Sequence, residues 1–127
     1  MLAFLESAPD VLAFKIGGKL EGTELDAIMD RLEPMLENEA KTHVFAETAA
    51  ITGLAIGGLS RYMGRAMPLF GKLGKFGRIA VVADQAWIRW AAKAESLVLP
   101  HISYRTFTPD CRAEALAWVQ GVGFNPA

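Results

Sequence analysis

Apolar residues recur along this chain in two rhythms, and the alternation between them divides it into elements. Residues 1–7, "MLAFLES", and 10–18, "DVLAFKIGG", are short apolar runs on either side of Ala8-Pro9-Asp10. Proline fixes φ there and aspartate favours a turn, so the two runs read as a hairpin of strands. In 22–39 the rhythm lengthens: Leu25, Ile28, Met29, Leu32 and Leu36 stand three and four residues apart, the spacing of one helix face. Thr23 is placed to cap this acidic amphipathic helix. Pro34, with no N–H to offer the carbonyl of Asp30, predicts a bend or break near its end.

Residues 41–48, "KTHVFAET", form a third strand, and the glycine-rich "GLAIGGL" that follows is a poor helix former. From Leu59 a helical stripe emerges, with Leu59, Tyr62, Met63, Ala66, Met67, Phe70 and Leu73 on one face and Arg61, Arg65, Lys72 and Lys75 opposite. Pro68 divides it into two shorter helices. In 78–83, "RIAVVA", apolar residues follow one another without alternation, which requires cover on both faces, as for a central strand.

Asp84 is a natural cap for the next helix, in which Trp87, Trp90, Ala91, Ala94 and Val98 repeat at helical spacing. Residues 102–107, "ISYRTF", give a fifth strand, and 108–119, "TPDCRAEALAWV", a last helix capped by Thr108 with Pro109 at its first position. The order is β-β-α-β-α-β-α-β-α. It predicts an α/β fold with a single mixed sheet of about five strands packed with about four helices, in one domain over 1–127. On that frame Trp87 and Trp90 lie one turn apart on a helix covering an apolar strand. They read as core anchors before they read as a stacking platform.

Composition changes the picture in one respect. Apolar residues are 52% of the chain and the mean hydropathy is +0.24. That is rich for 127 residues, and fits either a sheet buried on both faces or an apolar surface covered by a partner or ligand. The lone Cys111 excludes an intramolecular disulfide, and the first residues lack a basic segment, so a reducing cytoplasm is the expected address. No run reaches the roughly 18 apolar residues a membrane helix needs, the longest being "AAITGLAIGGL".

Charge is unevenly placed. Residues 48–83 hold five of the 13 basic residues, Arg61, Arg65, Lys72, Lys75 and Arg78, and none of the 14 acidic ones. Such a face reads first as an ordinary solvated face, and otherwise suits an acidic helix of this chain or of a second copy, a phosphorylated ligand or an anionic lipid surface. The net charge of −1 argues against nucleic acid as a partner.

The motifs of catalysis are missing. Neither G-x-G-x-x-G nor G-x-x-x-x-G-K-[ST] occurs, and "GKLGKFG", 71–77, has the wrong glycine spacing to cradle phosphate and reads as a helix end leading into the fourth strand. His43 and His101 have no second metal ligand at helix or strand spacing, so no metal site and no cofactor is expected. His43 reads as a structural or surface histidine rather than a general base. G-x-S-x-G and S-x-x-K are absent too, and Cys111, although near a helix start that lowers a thiol pKa, falls in the apolar repeat with Ala115, Trp118 and Val119.

Two stretches carry a family resemblance: "FGRIAVVADQAWIRW", 76–90, and "ISYRTFTPDCRAEALAWV", 102–119. Their specific marks are an aromatic-x-Arg-x-Ala-Val-Val strand, the helix start from Asp84 to Trp87, and the closing Phe107, Glu114, Ala115, Ala117 and Trp118. With the element order, they make the chain resemble the SpoIIAA-like family of small bacterial proteins, whose fold is similar to STAS domains, the anti-sigma-factor antagonist fold. The resemblance implies a serine followed by glycine at the junction between the third strand and the second helix, phosphorylated to release a partner. At that junction Thr52-Gly53 with Arg61-Tyr62 looks like the corresponding segment, one residue longer; Asp-Ser-Ser-Gly is absent, with Ala50 and Ile51 in its polar places.

The expected function is therefore that of a non-catalytic binding or regulatory domain. It would act through Thr52, Gly53, Arg61, Tyr62 and Arg65, with Thr52 the candidate phosphosite and a protein as partner. The alternative is a carrier of a small apolar or lipid-like ligand, suggested by Met35, Met63, Met67 and Phe70 as pocket-lining residues. An enzyme using Cys111 or His43 is the weakest reading. A homodimer is compatible with the apolar composition, and peripheral contact with a membrane surface stays open.

Overall fold

The structure is a computed structural model describing residues 1–37, 41–54, 75–86, 88 and 102–121. A five-stranded mixed sheet runs in the order of the sequence: β1 (Leu2–Phe4), β2 (Val11–Leu20), β3 (Thr42–Leu54), β4 (Phe76–Val82) and β5 (Ser103–Phe107). β1 is antiparallel to β2, and β2 to β5 are mutually parallel. Among the described residues two helices pack on it, α1 (Gly22–Leu36) and α2 (Arg112–Gln120), the latter preceded by a 3-10 turn, Pro109–Cys111. After Asp84-Gln85, residues 86 and 88 have helical backbone, and Ile88 N–H donates to the Gln85 carbonyl at 3.2 Å. The predicted helices between 59 and 76, and the remainder of the one carrying Trp87 and Trp90, lie outside the described residues.

Alternation along the strands sorts the core into two layers. Leu12 and Phe14 of β2 meet Met29, Leu32 and Leu36 of α1 on one face. Val11 and Ala13 point the other way and join Phe45, Ala80, Val82 and Phe107 beneath Ala115 and Val119 of α2. Burying each large side chain of this kind stabilises the fold by about 2 kcal/mol. β4 is wholly buried at Ala80 and Val82 and partly buried at Ile79 and Val81, as a central strand must be.

The hairpin of β1 and β2 forms as expected, with Leu2 opposite Ile16 and Phe4 opposite Phe14. Three local expectations are corrected. α1 begins at Gly22 with Glu21 as its N-cap, not Thr23, because Glu24 Oε1 accepts the Glu21 N–H at 3.0 Å and supplies the reciprocal arm of a capping box. Pro34 does not break the helix: it falls in the last turn, two residues before the helix ends at Leu36. The last helix opens as a 3-10 turn, which places Cys111 at the N-cap of α2 rather than inside its first turn.

The largest correction concerns β3. It does not end at Thr48 but continues through Leu54, paired with an equally extended β2. Threonine and isoleucine in 48–54 favour a pleated backbone, and the glycines of β2 let the longer strand stay paired.

Candidate functional site

Beyond Thr48 the sheet narrows to two strands. β4 ends at Val82, whose carbonyl accepts the Thr48 hydroxyl at 3.2 Å, while Ala83 N–H turns to the carbonyl of Phe107 at 3.0 Å. β2 and β3 run on past that point as a ribbon. The register opposite Gly17 and Gly18 jumps from Ala49 to Ile51, and then to Gly53 opposite Lys19. Ala50 and Thr52 are thus the extra residues of two successive bulges, the irregularity by which sheets re-aim residues at their rims.

Glycine is required on the facing strand. A Cβ at Gly17 would lie 2.6 Å from the carbonyl oxygen of Ala49, and Gly18 adopts φ +66°, a left-handed conformation costly to other residues. The Met1 ammonium donates to the Gly17 carbonyl at 3.0 Å and faces Glu24 at 2.8 Å, which holds the Glu24 carboxyl below its ordinary value, aided by a backbone hydrogen bond at Glu21. The exposed Lys19 stands in register with Gly53.

Just below the ribbon, Glu47 is buried to 8% exposure and accepts from Arg112 Nε at 2.8 Å. The same guanidinium lies 5.8 Å from the Phe45 ring, so the first turn of α2 is tied to β3 by an ion pair and a cation–π contact. Residue types alone did not reveal this pair, which joins distant parts of the chain.

The structure brings Thr52 and Gly53 to the carboxyl-terminal rim of the parallel strands, where ligands of open α/β sheets bind. Arg61, Tyr62 and Arg65 lie outside the described residues. Arg78, counted in the basic segment, is half-buried and donates from Nε to the Val119 carbonyl at 3.2 Å, so it serves the fold. Met35 packs, partly buried, against the α1 layer of the core; Met63, Met67 and Phe70 lie outside the described residues. Cys111 is partly buried against the α2 layer, with Sγ 3.9 Å from both Thr108 Oγ1 and an Asp110 carboxylate oxygen. The Asp110 carboxyl is held below its ordinary value chiefly by the Thr108 hydroxyl.

His43 sits at the opposite rim, buried, its ring turned toward the start of β4. Among the described residues no three His, Cys, Asp or Glu side chains converge as metal ligands, and no helix is long and apolar enough to cross a membrane.

A parallel four-strand sheet with an antiparallel edge and, among the described residues, a helix on each face is a STAS-like arrangement. The chain belongs to the SpoIIAA-like family, whose model matches residues 11–120. It is similar in structure to an uncharacterized protein with a SpoIIAA-like fold from Shewanella loihica PV-4, at 21% identity and TM-score 0.69, over 94% of this chain and 92% of that one. It is also similar to the anti-sigma factor antagonist SpoIIAA in its unphosphorylated form, at 14% identity and TM-score 0.60, over 96% and 100% of the two chains. The phosphorylated form of SpoIIAA, the Bacillus cell fate determinant, aligns at 13% identity and TM-score 0.57, over 90% and 97%. No curated protein matches the sequence.

Proposed function

We propose that this chain is a non-catalytic regulatory domain of the cytoplasm that binds a protein partner through the end of β3 and the segment after it. Thr52, Gly53, Arg61, Tyr62 and Arg65 are the binding residues, and Thr52 is the regulated one. The observation that carries the reading is the bulged ribbon, which sets Thr52-Gly53 beyond the four-strand sheet instead of within it. Further support comes from the shared fold of SpoIIAA, an anti-sigma factor antagonist known in unphosphorylated and phosphorylated forms.

The physical logic is electrostatic. A phosphate on Thr52 brings about −1.5 to −2 charges. It would arrive in a stretch, 48–83, that holds five basic residues and no acidic one. A partner drawn by the basic residues of this stretch therefore meets an altered surface after modification.

The test is capture from extracts of the native cells by wild-type chain and by an Arg61→Glu/Arg65→Glu variant, with crosslinks mapped on the bait. The reading expects a partner crosslinked at 49–62 whose recovery falls about tenfold or more in the variant, a loss of about 1.4 kcal/mol in affinity, with unchanged circular dichroism. Equal capture by the two baits overturns it.

A further inference from the structure

The amino-terminal rim of the sheet holds a polar cluster that the binding reading does not use. Between the pairs Thr42–Phe76 and Val44–Ile79, β3 contributes one residue, His43, and β4 contributes two, Gly77 and Arg78. This is a β-bulge, and a bulge leaves a backbone amide out of the ladder. Here His43 Nδ1 accepts the Arg78 N–H at 2.8 Å. The imidazole occupies the space a Cβ at Gly77 would need, so glycine is what admits the ring.

The surroundings fix the ring's proton. An Nδ1 that accepts a hydrogen bond carries no hydrogen, so the neutral ring has its proton on Nε2. Nε2 lies 3.6 Å from Asp10 Oδ2 and 3.4 Å from Arg78 Nη2. Every described element around the ring adds a group. The turn before β2 supplies Asp10, whose carbonyl also accepts the His43 N–H at 2.9 Å; the residue before β3 supplies Lys41; β4 supplies Arg78. α2 supplies the Val119 carbonyl that Arg78 Nε holds, at the negative end of the helix.

We propose that His43 is an acid-released latch, holding the bulged start of β4, and through Arg78 the carboxyl-terminal end of α2, against the sheet only while the imidazole is neutral. Protonation puts a hydrogen on Nδ1 that faces the Arg78 N–H, so the acceptor of a backbone amide is lost. It also sets a positive ring beside the Arg78 guanidinium. Asp10, about half exposed, compensates only in part. Burial first, and the Arg78 charge second, hold the His43 pKa below 6.5, with Asp10 opposing. The ring must then leave the space above Gly77, and the β3–β4 seam loosens at this rim.

The test uses nitrogen-15 NMR of the whole chain, with the second histidine resonance assigned by His101→Gln. The latch predicts a neutral ring protonated on Nε2 and a midpoint below the ordinary value of about 6.5. Between about pH 7.5 and about pH 5, it predicts a loss of about tenfold or more in exchange protection at the Arg78 amide, with Val82 nearly unchanged. His43→Asn, whose Oδ1 reproduces the acceptor without titrating, should abolish the acid step. A proton on Nδ1 at neutral pH, a midpoint at or above the ordinary value, or Arg78 protection indifferent to acid overturns the proposal, whether or not the variant folds.

Discussion

The two rims of the sheet both contain bulges, and they are built in opposite ways. At the amino-terminal rim the bulge of β4 is locked: Gly77 makes room, His43 takes the stranded amide of Arg78, and Arg78 continues to the end of α2. At the carboxyl-terminal rim the extra residues, Ala50 and Thr52, lie on a two-stranded ribbon eased by Gly17 and Gly18 and flanked by the exposed Lys19. One irregularity is closed by the buried, titratable His43; the other is carried out past β4. The same device thus holds a buried imidazole at one rim and carries the ladder past its neighbouring strand at the other.

The sharpest way to break the contrast is Gly77→Val. The new side chain must displace the His43 ring and orphan the Arg78 amide, which predicts a loss of about 3 kcal/mol or more in urea unfolding. A loss below about 1 kcal/mol would mean the rim is not locked. Arg112→Ala comes next, because it strips the partner from the buried Glu47, whose side chain is only 11% exposed. The Arg112 side chain is 42% exposed, so the expected loss is about 1–2 kcal/mol rather than that of a fully buried pair.

Gly18→Ala forces an alanine into φ +66° on the ribbon. It should cost about 1 kcal/mol and change amide shifts between 17 and 20 while leaving Arg78 untouched. The smallest effect is the acid dependence of stability. Because the folded-state His43 pKa lies below the unfolded one, the neutral-ring contribution is complete above the unfolded value of about 6.5. It is lost as pH falls through the folded value, so wild type should lose more stability than His43→Asn over that interval when both are followed by thermal melts.

Periodicity made much of this fold legible. The turn at Pro9-Asp10, the three-and-four spacing of Leu25 to Leu36, and the unbroken apolar run of β4 each report a local preference that packing then kept. What escaped were features made by residues far apart in the chain. The third strand is expected over 41–48, with the glycine-rich run after it a poor helix former, yet β2 brings its own glycines and the pairing continues through Leu54. "GKLGKFG" read as a helix end leading into a strand, and a glycine inside a strand does signal a bulge or a close approach. No local pattern could say that the approaching group was His43. Thr23 lost the cap to Glu21 for a local reason, since Glu24, three residues on, completes the box. The candidate site was legible only as Thr52-Gly53, by resemblance; its setting on a bulged ribbon needed the register.

Hydrogen–deuterium exchange of the chain, free and bound to the partner captured in the Arg61/Arg65 comparison, tests the central claim most directly. If the carboxyl-terminal rim is the binding surface, amides of 49–54 and 18–20 gain protection on binding while His43 and 76–78 do not change. Protection confined to the His43 rim, with 49–54 unaffected, would contradict the account.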